Sequence, residues 1–400
     1  MSTRQGDVII LGAGICGLAL ACLCAKEGMQ VVLVDQVIPE KKARENVPLK
    51  AKNKAWVSAM GRPAQRLLAS IGVWEGLQQS KQASAYTHMN VHGLSYPGLL
   101  ELDANMVKTQ DLGHIVNNGA TKALLWQALG QYKNIQIIEA IASSWDADEK
   151  ILKTTCDKAI CASLLVGCDG VKSWARQQTN IIADPGDGDG DIALVGLVNH
   201  TKSHYQTARQ CFMPSGVVAL LPLWDSTESA MVYSIKKDQD RGDHSVNFAL
   251  EGLQKAFPDL GSLDIDGELI SHPIVVQHAK QYHSRGVVLV GDAAMSLHPL
   301  AGLGLNCGLQ GVAVLANELI KAQRNGTSEN IKFINQRYQK AIRGYNALTQ
   351  QIITLCYKTL DGGNAPMRWF GQSALWGVNS LTIMKRKMIE HALYGIKQGQ

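Results

Sequence analysis

Four residues near the N-terminus have the types and spacing of a phosphate cradle. Gly12, Gly14 and Gly17 read GxGxxG, and Asp35 follows them. In such a motif the first glycine permits a tight turn and the second lets the backbone approach a pyrophosphate. The third lets a helix pack closely on a strand. Free amides of the first helical turn, at the positive end of the helix dipole, attract the phosphates. A carboxylate at Asp35 can accept hydrogen bonds from a ribose diol. GxGxxG alone often marks only a tight turn, so the context decides. "DVIIL", residues 7–11, is an apolar run suited to a buried strand. Ile15–Lys26 is rich in Ala and Leu and lacks Pro, Gly28 ends it, and "QVVLVD" supplies a second strand finishing at Asp35. Strand, turn, helix, strand and acid within about 30 residues predict dinucleotide binding.

A second stretch asks for a flavin rather than a nicotinamide. "GDAAMSLHPLAGLGLNCGLQG", residues 291–311, carries five glycines and a single formal charge, Asp292. It lies between a strand pattern, "GVVLV", and a helix pattern, "VAVLANELIKA". A flavin has a ribityl chain and a flat ring far from its pyrophosphate, and other loops must hold them. Asp292 at a strand end can accept from ribityl hydroxyls. Pro299, Gly302 and Gly304 leave a low wall for a flat ring. "GLGLN" begins a helix whose free amides can stabilise negative charge on a reduced ring. A glycine-rich helix start packed on the first unit would produce the same pattern without a cofactor.

These motifs need elements to position them. Strand and helix patterns alternate over residues 1–80, 106–185 and 276–345, as a doubly wound sheet requires. Residues 81–105 and 186–275 carry short alternating strands such as "GVVALLPL" and "ESAMVYSI". They predict an inserted, mostly antiparallel sheet that roofs the cofactor and forms the substrate pocket. Residues 346–400 read as helical. "DPGDGDGD" at 184–191 lacks the ligand spacing and terminal Glu of a calcium loop and is expected to be a solvated linker.

Bulk properties bound the rest. At roughly 150 residues per domain, 400 residues suggest two or three domains. With 46% hydrophobic and 18% charged residues the chain can bury large cores. A net charge of +5 is too mild for a nucleic-acid binder. Nine scattered cysteines form no CxxC pair and no zinc spacing, so no metal site is expected and a reducing compartment fits. No leader or spanning segment is expected, which gives a soluble cytoplasmic protein or one bound peripherally at the inner face of a membrane. Residues 368–397 hold five basic residues against one acid, together with Trp369, Phe370 and Trp376. Such a segment can seat on an anionic bilayer, or pack on the flavin domain or on another subunit of a homo-oligomer or complex.

Residues 291–311 resemble the second flavin motif of the aromatic-ring hydroxylases with the para-hydroxybenzoate hydroxylase fold. Within that group they are most similar to the ubiquinone-biosynthesis hydroxylase family. "LLVGCDGVKSWAR", residues 164–176, resembles that family's DG motif. "WVSAMGRPAQRLLASIGVWE", "LGHIVNN" and "FMPSGVVALLPL" agree in order, so the resemblance spans most of the chain. It implies an α/β fold: a Rossmann-like FAD-binding domain of the GR2 type, the inserted antiparallel sheet and a helical C-terminus. It implies that Gly12, Gly14, Gly17 and Asp35 hold the adenosine diphosphate half of FAD, and Asp292 the ribityl chain. Pro299, Gly302, Gly304, Leu305 and Asn306 match the loop beside the ring. Asp169 and Gly170 match the DG motif, which in the family serves FAD and NAD(P)H. His298 and Pro299 are the candidate catalytic residues, although a lone His there is also a common packing residue. Several positions depart from the family: Met295 stands for His, Leu303 for Gln, Trp56 for Arg, Asn117 for Glu and Asp191 for Gln. Lys54 and Arg62 are candidates to replace the missing arginine. The activity implied is hydroxylation of a prenylated phenol, with NAD(P)H as co-substrate, through a flavin C4a-hydroperoxide. A flavin hydroxylase of another small aromatic or of a secondary metabolite, or a weakly flavin-binding accessory subunit of a quinone-biosynthesis complex, would share these motifs.

Overall fold

Burial on both faces explains why the first apolar run is a strand. Val8, Ile9 and Ile10 are almost fully buried within Arg4–Leu11. The same holds for Leu164, Leu165 and Val166 of Ala159–Gly167, and for all of Val287–Leu289. Near-continuous apolar runs of this kind suit a parallel sheet covered on both sides. In this computed structural model, which describes residues 4–40, 55–94, 96–324, 331–358, 383, 385, 386 and 389, they form one. The order of its parallel part is Val287–Leu289, Ala159–Gly167, Arg4–Leu11, Val31–Asp35, Ile135–Glu139.

Register brings the motifs together. Leu11 pairs with Gly167, and Gly167 with Leu289, so three strands end level with one another. The residues that follow each end are the GxGxxG turn, the DG turn and the Asp292 turn. Ligands of open α/β sheets bind at this carboxyl edge. Arg176 ties two of the turns, since its guanidinium donates to the Ala293 carbonyl at 2.9 Å and the Val171 carbonyl at 2.8 Å. Helix Ile15–Lys26 has apolar residues all round and packs against Asn118–Leu129 and Gly304–Arg324.

The second sheet has the order Leu263–Pro273, Ile192–His200, Glu228–Ile235, Gly216–Pro222, Thr207–Met213, His88–Gly93, Tyr96–Asp103. Every pair is antiparallel except Thr207–Met213 with His88–Gly93. The expected mostly antiparallel sheet is present. Alternation divides its residues. Val218, Leu220, Met231 and Tyr233 pack with Leu253 and Phe257, from helix Val246–Ala256 and the turn after it. Ala219, Leu221 and Val232, which alternate with them along the strands, face a cavity. Ala83–Tyr86 belongs elsewhere, to a small sheet with Gly113–Asn117 and Val57–Met60. Helix Ile331–Cys356 runs through residue 346 unbroken. No described helix is long and apolar enough to cross a membrane. Of the basic and aromatic stretch 368–397, nearly all lies outside the described residues.

Candidate active site

A cavity of about 500 Å³ lies between the carboxyl edge of the parallel sheet and the antiparallel sheet. Its wall includes Gly14, Gly170, Asp292, His298, Pro299, Gly302, Gly304 and Leu305. Eight of the expected site residues therefore meet in one place, from three separate parts of the chain. The two glycine-rich helix starts, at Gly14 and Gly304, open into the same space.

The glycines of this wall are of two kinds. A Cβ added at Gly14, Gly170 or Gly304 would meet nothing within 4 Å, because each faces the cavity. A Cβ at Gly12 would lie 2.3 Å from the Cys168 carbonyl oxygen, and Gly12 has φ +98°. One at Gly17 would lie 1.9 Å from the Gly12 carbonyl oxygen. Gly12 and Gly17 thus build the turn, and Gly14 leaves room beside it. The helix that starts there has no side-chain cap and no acid in its first turn, so its amides are left for an anion.

Five expected residues support the wall instead of lining it, Gly12 and Gly17 among them. The Asp35 carboxylate accepts from Ala13 N at 2.5 Å and Val37 N at 3.0 Å. It fixes the cradle while remaining half-exposed. Asp169 accepts from Ser173 Oγ at 2.6 Å and Ala175 N at 2.9 Å, holding the DG turn. Asn306 donates to the Ala59 carbonyl at 2.6 Å and accepts from Gly61 N at 2.8 Å, joining the long helix to Val57–Met60.

Asp292 is open to the cavity yet surrounded by protein, and burial from bulk water raises its pKa. It makes no hydrogen bond among the described residues. Burial, with Asp292 beside it, pushes the Cys16 thiol up to about 12, so a neutral thiol borders the carboxylate.

His298 is 2% exposed, and neither ring nitrogen has a hydrogen-bond partner among the described residues. Its Nε2 lies 3.6 Å from Asp191 Oδ2, beyond hydrogen-bond length. Asp191 accepts from Lys237 N at 2.9 Å and the Tyr357 hydroxyl at 2.8 Å. The imidazole therefore sits in the wall, backed by a carboxylate. This corrects the end of the expected solvated linker at 184–191, whose Asp184, Pro185 and Asp189 are exposed. Asp191 is buried, Asp189 accepts from Val276 N at 3.0 Å, and a Cβ at Gly188 would strike His298 at 2.6 Å. Long-range partners, rather than local composition, decide where this loop lies.

Burial works to raise the Asp191 pKa, but His298, the Lys237 amide and the Tyr357 hydroxyl together hold it below the usual carboxylate range. A lowered folded pKa stabilises the protein above the unfolded value of about 3.9, and this is lost as pH falls through the folded pKa. Asp191→Asn is expected to lower stability at pH 7 by about 1–3 kcal/mol. Thermal scans from neutral to acid pH check this. The gap between wild type and variant should close as the pH drops below about 4. A constant gap would dismiss the ionic contribution.

Sequence reasoning missed a third helix start on the cavity, at Asn118–Leu129, which contributes Asn118 and Lys122 to the wall. The signal was present in "NNGATKALLWQAL", where Asn117 caps the helix by accepting from Ala120 N at 2.9 Å. Arg62, a candidate for the missing arginine, pairs with Asp111 at 2.9 Å and does not line the cavity. Lys54 lies outside the described residues.

The chain matches the FAD binding domain family over residues 5–337. It is 29% identical to ubiquinone hydroxylase UbiL of Rhodospirillum rubrum, across 99% of this chain and 91% of that protein. It is 27% identical to 3-demethoxyubiquinol 3-hydroxylase of Escherichia coli, across 98% of this chain and 100% of that one. Its fold is similar to the crystal structure of p-nitrophenol 4-monooxygenase PnpA from Pseudomonas putida DLL-E4. The TM-score is 0.79 at 17% identity, covering 99% of this chain and 100% of that one.

Proposed function

The chain belongs to the FAD binding domain family, and we propose that it is a FAD-dependent monooxygenase hydroxylating the aromatic ring of a prenylated phenol in ubiquinone biosynthesis. One observation carries this. Three turns that follow level strand ends open onto a single cavity, and its opposite wall is an apolar sheet. The cavity falls in the size range of small-molecule sites. Bound FAD, reduced by NAD(P)H, supplies the activation of O2 that delivers one oxygen atom.

The chain's own residues bind, orient and exclude water. Gly14 and the first-turn amides of Ile15–Lys26 would hold the pyrophosphate, and Asp35 the ribose. Asp292 would accept from the ribityl hydroxyls. Gly302, Gly304 and Leu305 would border the ring, where the start of Gly304–Arg324 favours negative charge. Met89, Ala219, Leu221, Val232 and Leu297 would dry the pocket and seat an aromatic substrate. His298 and Pro299 form the wall next to these residues. In this assignment the flavin domain comprises 1–80, 106–185 and 276–345, and the substrate domain 81–105 and 186–275, except that strand Ala83–Tyr86 goes with its partner Gly113–Asn117. A prenylated phenol partitions into bilayers, so a peripheral membrane contact through residues 368–397 goes with this substrate.

The test is NAD(P)H oxidation and product mass with FAD, O2 and a panel of short-chain prenylphenols and simple benzoates. Oxidation coupled to prenylphenol, with a product heavier by one oxygen atom, is expected. A purified protein that takes up no FAD, or that yields only peroxide with every phenol, would refute the assignment.

A further inference from the structure

FAD carries two negative charges at its pyrophosphate, and helix ends offset them only in part. Among the described residues, two cationic side chains border the cavity, Lys122 and Arg209. Arg209 is committed elsewhere. Its Nη2 bonds Asp259 Oδ2 at 3.0 Å, and its Nη1 bonds the His204 and Thr207 carbonyls at 3.0 and 3.2 Å. Lys122 makes no hydrogen bond or ion pair among the described residues.

Its position matches that of the phosphate cradle. Helices Ile15–Lys26 and Asn118–Leu129 pack side by side. Cys22 Sγ lies 3.9 Å from the Leu125 carbonyl, so comparable depths of the two helices face each other. Both N-terminal ends then open at one end of the pair, and Gly14, Ile15, Asn118 and Lys122 all line the cavity there. Lys122 stands one turn into its helix, and that first turn carries no acid. Asn118 beside it is 6% exposed, and its Oδ1 has no partner among the described residues. A buried amide and an ammonium that have no partner among the described residues share one rim, a pairing suited to an anionic ligand. Across that rim, Trp56 occupies the position where the resembling family carries arginine, and its ring lies against the same helix start, near Gly119.

We propose that Lys122 neutralises the pyrophosphate of FAD, so that the charge an arginine would supply from the Val57–Met60 side comes from the neighbouring helix. This rests on the FAD assignment above. Lys122→Gln is expected to weaken FAD binding by roughly tenfold to a hundredfold, the worth of one charge-assisted hydrogen bond. It should also flatten the fall of affinity with added salt. Lys122→Arg should restore most of the binding. Flavin fluorescence quenching gives the dissociation constants for the apoprotein, and thermal melting of each apo-variant shows whether it folds. A wild-type FAD affinity in Lys122→Gln would overturn the proposal while leaving the flavoenzyme assignment standing. So would an unchanged FAD affinity with a raised KM for NAD(P)H, which would give the cation to the second nucleotide. A wild-type protein that takes up no FAD would refute both.

Discussion

Gly14→Val is expected to give an apoprotein that folds and melts nearly as wild type does, but takes up no FAD. Gly14 sits at φ −75°, which any L-residue adopts, and a Cβ there meets nothing within 4 Å. The branched side chain would instead occupy the cavity, where phosphates must reach the first-turn amides. Valine is a poor N-cap, which costs the fold only about 1 kcal/mol. Losing two charge-assisted hydrogen bonds at about 1.5–3 kcal/mol each weakens binding by roughly 10²–10⁴-fold. Gly17→Ala should behave in the opposite way. Its Cβ would lie 1.9 Å from a backbone oxygen inside the turn, so the strand and helix must separate. Overpacking of that kind costs about 1–3 kcal/mol or more. Circular dichroism and thermal melting report the fold, and flavin fluorescence reports the cofactor. FAD binding by Gly14→Val at wild-type affinity would remove the cradle from the mechanism.

The contrast between two glycines of one motif shows what was legible in the sequence. The first unit was readable because its logic is local. The turn, the helix Ile15–Lys26 and the strand ending at Asp35 all follow within one short segment. That the three motifs converge was readable only through resemblance, since it depends on the pairing of Leu11 with Gly167 and Leu289. Residue type did not say which polar groups would face the cavity. Asp169 and Asn306 carry the right chemistry, yet both turn to backbone partners, and Asn306 reaches Gly61 across 245 residues. The acidic glycine-rich loop read as solvent-facing because its partners, Val276 and Tyr357, lie far along the chain. Lys122 was missed for the same reason. A lysine on an apolar helix reads as a solvated face until a neighbouring helix shows which end opens to a cavity.

Asp292→Ala should weaken FAD binding by roughly tenfold to a hundredfold and raise the melting temperature of the apoprotein. The two effects share one cause. Burial raises the folded pKa of Asp292, so its ionised form costs the apoprotein some stability, less than a sealed carboxylate would because the side chain is exposed to the cavity. A raised folded pKa in a carboxylate means that stability is withdrawn as pH climbs past the unfolded value of about 3.9. Removing the carboxylate relieves that cost at neutral pH, and below about pH 4 the relief should vanish. Ribityl hydroxyls would supply the hydrogen bonds that the described residues do not, so the cofactor would offset that cost. Asp292→Asn, which keeps an acceptor without the charge, should fall between wild type and alanine in FAD affinity and match alanine in the pH dependence of its melting. Active sites commonly trade stability for function in this way. A carboxylate that merely held its turn together would lower melting temperature and affinity in parallel when removed, and that pattern would assign Asp292 to the scaffold.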